Sequence, residues 1–286
     1  MKSKIAIILL LLLNILASCS KEYPAEEQKL VIEGWIENGE FPVVLVSLSG
    51  NIDNDGDEVA DFMVRWAKVS IHFDDKTYIL TGSPDKRYFP PYSYISYDFR
   101  GEAGKTYTLE VEYKGMKATA KTTVPTPIEI DSISVGNVVG NDTLRSINVH
   151  FTPDRDETDY FRIRYREYNT ESRFYPSFLG TISTRPSDGK ISIPLYRAKL
   201  KTTKDYIPYF PIGSVVEVRL SRINKESYDI WCDYDNIVNF GSNIFFKQQT
   251  NLYTNIQGGY GYWIGYGISK SRIKIIAPRQ PVFGMN

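Results

Sequence analysis

Period-two alternation of apolar and polar residues runs through most of this chain, and it restricts the fold more than any other feature. In Thr106 to Tyr113, the residues Tyr107, Leu109, Val111 and Tyr113 point one way, while Thr108, Glu110 and Glu112 point the other. The pattern resumes after Lys114-Gly115 with Met116, Ala118, Ala120, Thr122 and Val124. Two alternating runs joined by a glycine-containing pair specify a hairpin. Val69, Ile71 and Phe73 alternate with Lys68, Ser70 and His72, and Asp74-Asp75-Lys76 turns the chain into Thr77 to Leu80. Leu30 to Ile36 and Val43 to Leu48 supply further strands. Sheets that are apolar on one face need a second sheet over that face, so the chain is expected to be mainly β and built from sandwiches.

Pro125-Thr126-Pro127 breaks the alternation, because two prolines so close cannot continue a central strand. Residues 30–125 are therefore expected to form an N-terminal β-sandwich and residues 126–286 a second one. In the second segment Ile147, Val149 and Phe151, then Phe161, Ile163 and Tyr165, then Val216, Val218 and Leu220 alternate. The stretch from Ile147 to Tyr165 resembles the B and C strands of a fibronectin type III sandwich, which gives two consecutive immunoglobulin- or fibronectin-III-like modules. One helix interrupts the β pattern at about 225–239. There Ile230, Trp231, Tyr234, Ile237 and Val238 recur at helical spacing, with Asn224 or Ser227 as cap.

The first thirty residues address location. Lys2 and Lys4 precede an apolar run from Ile5 to Leu13, and Leu16-Ala17-Ser18-Cys19 follows. A positive start, an apolar stretch too short to span a bilayer and small residues before a cut site describe a secretory signal peptide, residues 1–18. Small residues ahead of Cys19 resemble the bacterial lipobox, in which that cysteine is acylated and becomes the first residue of the mature chain. Residues 19–29 then form a tether, and Ser20-Lys21-Glu22 with Glu26-Glu27 resembles the Bacteroidota signal for export to the cell surface. The expected location is the outer membrane, lipid-anchored and facing the exterior.

Charge and cysteine usage narrow the function. The chain has 34 basic and 34 acidic residues; loss of Lys2 and Lys4 leaves 32 against 34. A near-neutral mature chain lacks the electrostatic footprint of a nucleic-acid binder. With Cys19 acylated only Cys232 remains, so no intrachain disulfide can form.

Three stretches carry a family resemblance. They are Leu30-Val-Ile-Glu-Gly-Trp-Ile-Glu-Asn-Gly-Glu-Phe-Pro-Val-Val-Leu-Val, Gly104-Lys-Thr-Tyr-Thr-Leu-Glu-Val with the Val124-Pro125 break, and Asn255-Ile-Gln-Gly-Gly-Tyr-Gly-Tyr-Trp-Ile-Gly-Tyr-Gly267. Together they resemble the Bacteroidota lipoprotein family called domain of unknown function 4249. The resemblance implies an accessory surface lipoprotein, often encoded beside TonB-dependent receptors, and it carries no assigned functional residues. The expected function is therefore non-catalytic: a ligand- or receptor-binding component of a TonB-dependent nutrient-uptake system, with a glycan or peptide as ligand. The alternatives are an adhesin or surface-assembly component, and a glycan-active enzyme, whose paired carboxylates need be close only in space.

Several groups qualify as sites. Asn51, Asp53, Asp55 and Asp57, with Gly56 between the last two, match the start of a calcium loop, but the closing position holds Phe62 and Asp61 lies one residue early. An acidic surface loop satisfies the same residues, and no other cofactor is indicated. Tyr88, Phe89, Tyr92 and Tyr94, then Tyr206, Tyr209 and Phe210, sit in proline-containing segments that can present rings to a ligand or close the sandwich ends. Arg162, Arg164 and Arg166 share one strand face, a pattern able to grip an anionic ligand; Glu217 and Arg219, alternating on another strand of the same domain, favour reading it as a mixed, solvated face. The glycines of Gly258 to Gly265 lack the strand–turn–helix context of a phosphate loop and read as a bulged strand or a close backbone approach. His72 and His150 lie on polar strand faces, and no catalytic motif accompanies them or Cys232.

Overall fold

The computed structural model describes residues 28–50, 62–154, 157–186, 189–198, 206–240 and 253–276. Cys19 and the acidic loop Asn51, Asp53, Asp55, Asp57 and Asp61 lie outside the described residues. Among the described residues, sixteen strands and one helix follow in chain order. The first eight strands are β1 (Leu30–Glu37), β2 (Val43–Leu48), β3 (Lys68–Phe73), β4 (Lys76–Ile79), β5 (Thr81–Pro84), β6 (Tyr92–Ile95), β7 (Thr106–Tyr113) and β8 (Met116–Thr123). Then come β9 (Ile130–Val138), β10 (Asn141–Phe151), β11 (Tyr160–Glu167), β12 (Tyr175–Ser183), β13 (Ile191–Leu195), β14 (Phe210–Pro211) and β15 (Val215–Ile223). The helix α1 (Lys225–Phe240) and the long strand β16 (Gly259–Lys274) end the described chain.

Local chemistry explains the short-range elements. Lys114 and Gly115 both take positive φ, as do Asp74 and Asp75, which gives the β7–β8 and β3–β4 hairpins the two-residue turns whose twist matches that of their strands. Asn224 caps α1, its Oδ1 accepting from the Ser227 amide at 2.8 Å.

Three sheets result. An eight-stranded sheet has the order β12-β11-β15-β16-β1-β2-β6-β5, and two four-stranded sheets are β4-β3-β7-β8 and β13-β10-β14 with β9 on β10. Both small sheets pack on the same face of the large one. Leu30, Ile32 and Ile36 of β1 meet Val69, Ile71, Leu109 and Val111 in a first core. Phe161, Ile163, Val216 and Val218 meet Ile147, Val149 and Phe151 in a second. The two strands resembling a fibronectin B–C pair, β10 and β11, lie in opposite sheets and touch through Phe151 and Phe161, edge to face at 4.8 Å.

The two sandwiched cores share one sheet because of β16. Residues 259–266 pair in parallel with β1, and residues 267–274 pair antiparallel with β15. Asn38 extends the parallel ladder past the end of β1. Its side-chain amide donates to the Ile268 carbonyl at 3.3 Å, and its Oδ1 accepts from the Ile268 amide. Pro125-Thr126-Pro127, where the sequence suggested a division, is the link by which the chain leaves one small sheet for the other, and it crosses directly over β16.

That crossing explains the glycine-rich segment. A Cβ at Gly265 would land on the Thr123 carbonyl oxygen, and one at Gly267 on that of Pro125. Gly261 has φ +103 and leaves no room between its Cα and the Ile32 carbonyl, so the close backbone approach expected of these glycines is where β16 meets both β1 and the link. Between them Trp263 is fully buried, and its Nε1 donates to the Tyr107 carbonyl at 3.0 Å. Gly34 on the neighbouring strand leaves space for that indole.

Gly265→Ala and Gly267→Ala should each destabilise the protein by about 1–3 kcal/mol, the range for overpacking a filled site. Gly189→Ala, in open space, should change stability by less than about 0.5 kcal/mol. Urea unfolding followed by tryptophan fluorescence checks both.

Candidate functional site

The face of the large sheet that the small sheets leave uncovered is set by the same alternation. On β11, Phe161, Ile163 and Tyr165 enter the second core, so Arg162, Arg164 and Arg166 project the other way. Glu217 and Arg219 of β15, Tyr266 and Arg272 of β16, and Trp35 and Glu37 of β1 project to that side too. The helix α1 covers part of this face, packing Ile230, Tyr228 and Trp231 against Ile264, Tyr266 and Ile268.

The three arginines of β11 have different partners. Arg162 is buried and holds the helix: its guanidinium forks onto Asp235 at 3.0 and 3.1 Å and lies 4.0 Å over the Trp231 ring. Arg164 stands directly opposite Arg219 in the β11–β15 register, a like-charge pair that repels unless something bridges it. Glu37 bridges it, reaching Arg164 at 2.9 Å and Arg219 at 3.2 Å. Glu217 likewise serves two guanidiniums, Arg166 at 2.7 Å and Arg272 at 3.5 Å. Both carboxylates are buried, at 5% and 4% exposure. The mixed, solvated face expected from the sequence is therefore a half-buried ionic network, since the helix and the loop around Phe174 cover it.

Two carboxylates among four guanidiniums leave a surplus of positive charge. Burial pulls the Arg219 guanidinium below its ordinary range, and the like charge of Arg164 adds to this while Glu37 opposes it. Arg164 is also penalised by burial, but Glu37 holds it above its usual value. The Nε atoms of both arginines are buried without a hydrogen-bond partner. Phe174 lies 3.8 Å from the Arg219 guanidinium and 4.7 Å from that of Arg166.

Beside this network the floor becomes apolar. Val43, Leu45 and Ile95 of β2 and β6 are buried beneath Trp35, Phe41 and Tyr88. Tyr88 is held edge to face on Trp35 at 5.4 Å. Its loop is braced by Arg87 on Asp85, which keeps the Asp85 carboxyl below the usual carboxylate range. The basic and apolar halves line one open cleft of about 830 Å³ with six basic and two acidic side chains. That volume lies within the usual range for small-molecule sites.

Of the ring-bearing residues singled out in the sequence, only Tyr88 lines the cleft. Phe89 is exposed at the loop tip. Tyr92 and Tyr94 are core residues, corrected from ligand candidates: their hydroxyls donate to the Arg65 and Val64 carbonyls, and burial pushes the Tyr94 phenol up to about 12. Both faces of β6 are covered, which is why a segment read as a presenting loop is a central strand. Phe210 is likewise fully buried in the second core. Tyr206 bonds the Arg197 carbonyl and stacks near Phe178, and Tyr209 lies near Tyr196, both away from the cleft. Sequence reasoning missed Trp35, Glu37 and Phe174. The signal that could have found Glu37 was its place on the same alternate face of β1 as Trp35.

Among the described residues, no group of three His, Cys, Asp or Glu side chains could hold a metal ion. Cys232 is half-buried, and burial raises its thiol pKa, the opposite of an activated nucleophile. His72 and His150 bond neighbouring hydroxyls of Thr77 and Ser134. A family model described as a domain of unknown function (DUF4249) matches residues 19–272. No curated protein matches the chain.

Glu37→Gln should leave Arg164 and Arg219 facing each other without a carboxylate. The expected loss is about 3 kcal/mol, the lower end for a broken buried pair because the guanidiniums keep some access to water. Arg219→Met should cost less, because Glu37 retains Arg164. Chemical denaturation of both variants measures the difference.

Proposed function

The chain belongs to the DUF4249 family, and on that premise we propose that it is a non-catalytic binding lipoprotein, held in the outer membrane by acylated Cys19 and facing the cell exterior. The cleft on the open face of the large sheet is its ligand site. In this reading it presents a captured ligand to a TonB-dependent receptor.

The observation that carries the binding role is the cleft itself, in which surplus guanidinium charge and aromatic rings are fixed on the most extensively paired sheet of the molecule. Rigid strands present a ligand surface without ordering cost at the moment of binding. Catalysis would need an acid, base or nucleophile in the cleft. Its two carboxylates, Glu37 and Glu40, are engaged by Arg164, Arg219 and Lys270. The anchor rests on Leu16-Ala17-Ser18-Cys19, and the family match begins at that cysteine. Several acyl chains on one cysteine anchor firmly, at about 0.8 kcal/mol per buried methylene. The ten residues between Cys19 and β1 reach at most about 35 Å, enough to hold the sheet clear of the lipid headgroups.

Cys19→Ala should abolish incorporation of labelled palmitate and move the protein from the membrane to the soluble fraction. An affinity pull-down of the full-length lipidated protein from native outer membranes should recover a TonB-dependent barrel in near-stoichiometric amount. Recovery of the lipoprotein alone, or only with copies of itself, would overturn the receptor-accessory role.

A further inference from the structure

The two halves of the cleft ask for different chemistry from one occupant. The β11–β15 half offers guanidinium donors: Arg164 and Arg219 share a single carboxylate, and their Nε groups are buried and unpartnered. The acidic groups of the lining are already bonded to Arg or Lys, so the walls hold few free acceptors for a neutral hydroxylated ligand. The occupant must bring acceptors, and negative charge answers the surplus on the floor. The β1–β2–β6 half is apolar, with Val43 and Ile95 under the rings of Trp35 and Tyr88. An inorganic oxyanion would leave this half unused. A long polyanion is disfavoured by the slight net negative charge of the mature chain, 32 basic against 34 acidic residues.

Resting on the binding role proposed above, we infer that the cleft takes a small organic anion with an apolar ring system. The ring packs against Trp35 and Tyr88, above buried Val43 and Ile95, and a carboxylate or other oxyanion sits against Arg164 and Arg219. Strand spacing supports the fit: β1 and β15 are two rungs apart in the sheet, about 10 Å, a span that a bicyclic carboxylate covers with these side chains closing over it. Phe174 lies 3.8 Å from the Arg219 guanidinium and limits its freedom to swing away from Glu37. The lowered charge affinity of Arg219 is relieved when an oxyanion joins Glu37 beside it.

The test uses the full-length lipidated protein in phosphatidylcholine vesicles, with protein-free vesicles as blank, and equilibrium dialysis of three probes. 1-Naphthoate carries both features, 1-naphthylmethanol only the ring, and inorganic sulfate only the charge. Saturable one-to-one binding of naphthoate is expected, with the other two probes at least roughly tenfold weaker, naphthylmethanol because it loses a charge-assisted contact and sulfate because it buries no apolar ring. Arg219→Met and Trp35→Ala should each weaken naphthoate by about tenfold. Arg173→Ala, at an exposed position of the same lining, should weaken it several-fold and keeps the test open if either of those variants fails to fold. Naphthylmethanol or sulfate binding as tightly as naphthoate would overturn the ligand class and leave the cleft as the binding site. Naphthoate binding indifferent to all the substitutions would place the site elsewhere and overturn both. Absence of saturable binding by any probe would overturn the ligand class, while the receptor pull-down still decides the accessory role separately.

Discussion

The parallel pairing of β1 with the first half of β16 is the contact on which the rest of the structure depends. It joins chain segments about 230 residues apart, as the Asn38 bonds to Ile268 show, and it fuses two sets of strands into one sheet. Parallel strands are stable when both faces are covered. Here the small sheets cover one face, and the helix with the ionic network covers part of the other. The glycines of β16 follow from the same contact. At Gly261, Gly265 and Gly267 another backbone lies where a side chain would stand.

The open face shows how alternation creates a site at some expense to stability. Period two obliges every strand that fills a core to present its alternate residues outward, and on β11, β15 and the end of β16 those residues include Arg164, Arg166, Glu217, Arg219 and Arg272. The register then sets Arg164 opposite Arg219. Replacing such an array with apolar residues of similar size is often neutral or stabilising in other proteins. Four guanidiniums around two buried carboxylates are thus not accounted for by stability alone, and a surplus of charge there is what the proposed ligand role requires.

Alternation also accounts for which elements could be read in advance. β1, β3, β7, β8, β10, β11 and β15 are strands whose two faces differ in polarity, so their signal survives in the sequence, whereas β2 was legible as a continuous apolar run buried on both faces. α1 was legible through its apolar stripe and a cap at Asn224 or Ser227, of which the structure uses Asn224. β6 was not, because Tyr92-Ser-Tyr-Ile is buried on both faces and shows no alternation, and its tyrosines were read as ligand contacts. β12 was hidden by Pro176 and Gly180 and by a bulge opposite Arg162 and Arg164. Among the candidate ring residues Tyr88 stands in the cleft, while Trp35 and Phe174 were passed over because nothing local distinguishes a ring facing a cleft from one facing a core.

What the sequence determined by itself was local: the strand periodicity, the two-residue turns, the helix with its cap, the apolar run ahead of Cys19, and the glycine run that demands a close backbone neighbour. Such features depend on residues a few positions apart, where sterics and hydrogen-bond geometry act directly. The tertiary structure alone decided which backbone those glycines meet, which face of each strand stays open, and that Glu37 of the first strand would hold arginines from β11 and β15. These outcomes depend on strand order and register between distant segments. Burial of both faces of a shared sheet selects them, and no short window of residues encodes that choice.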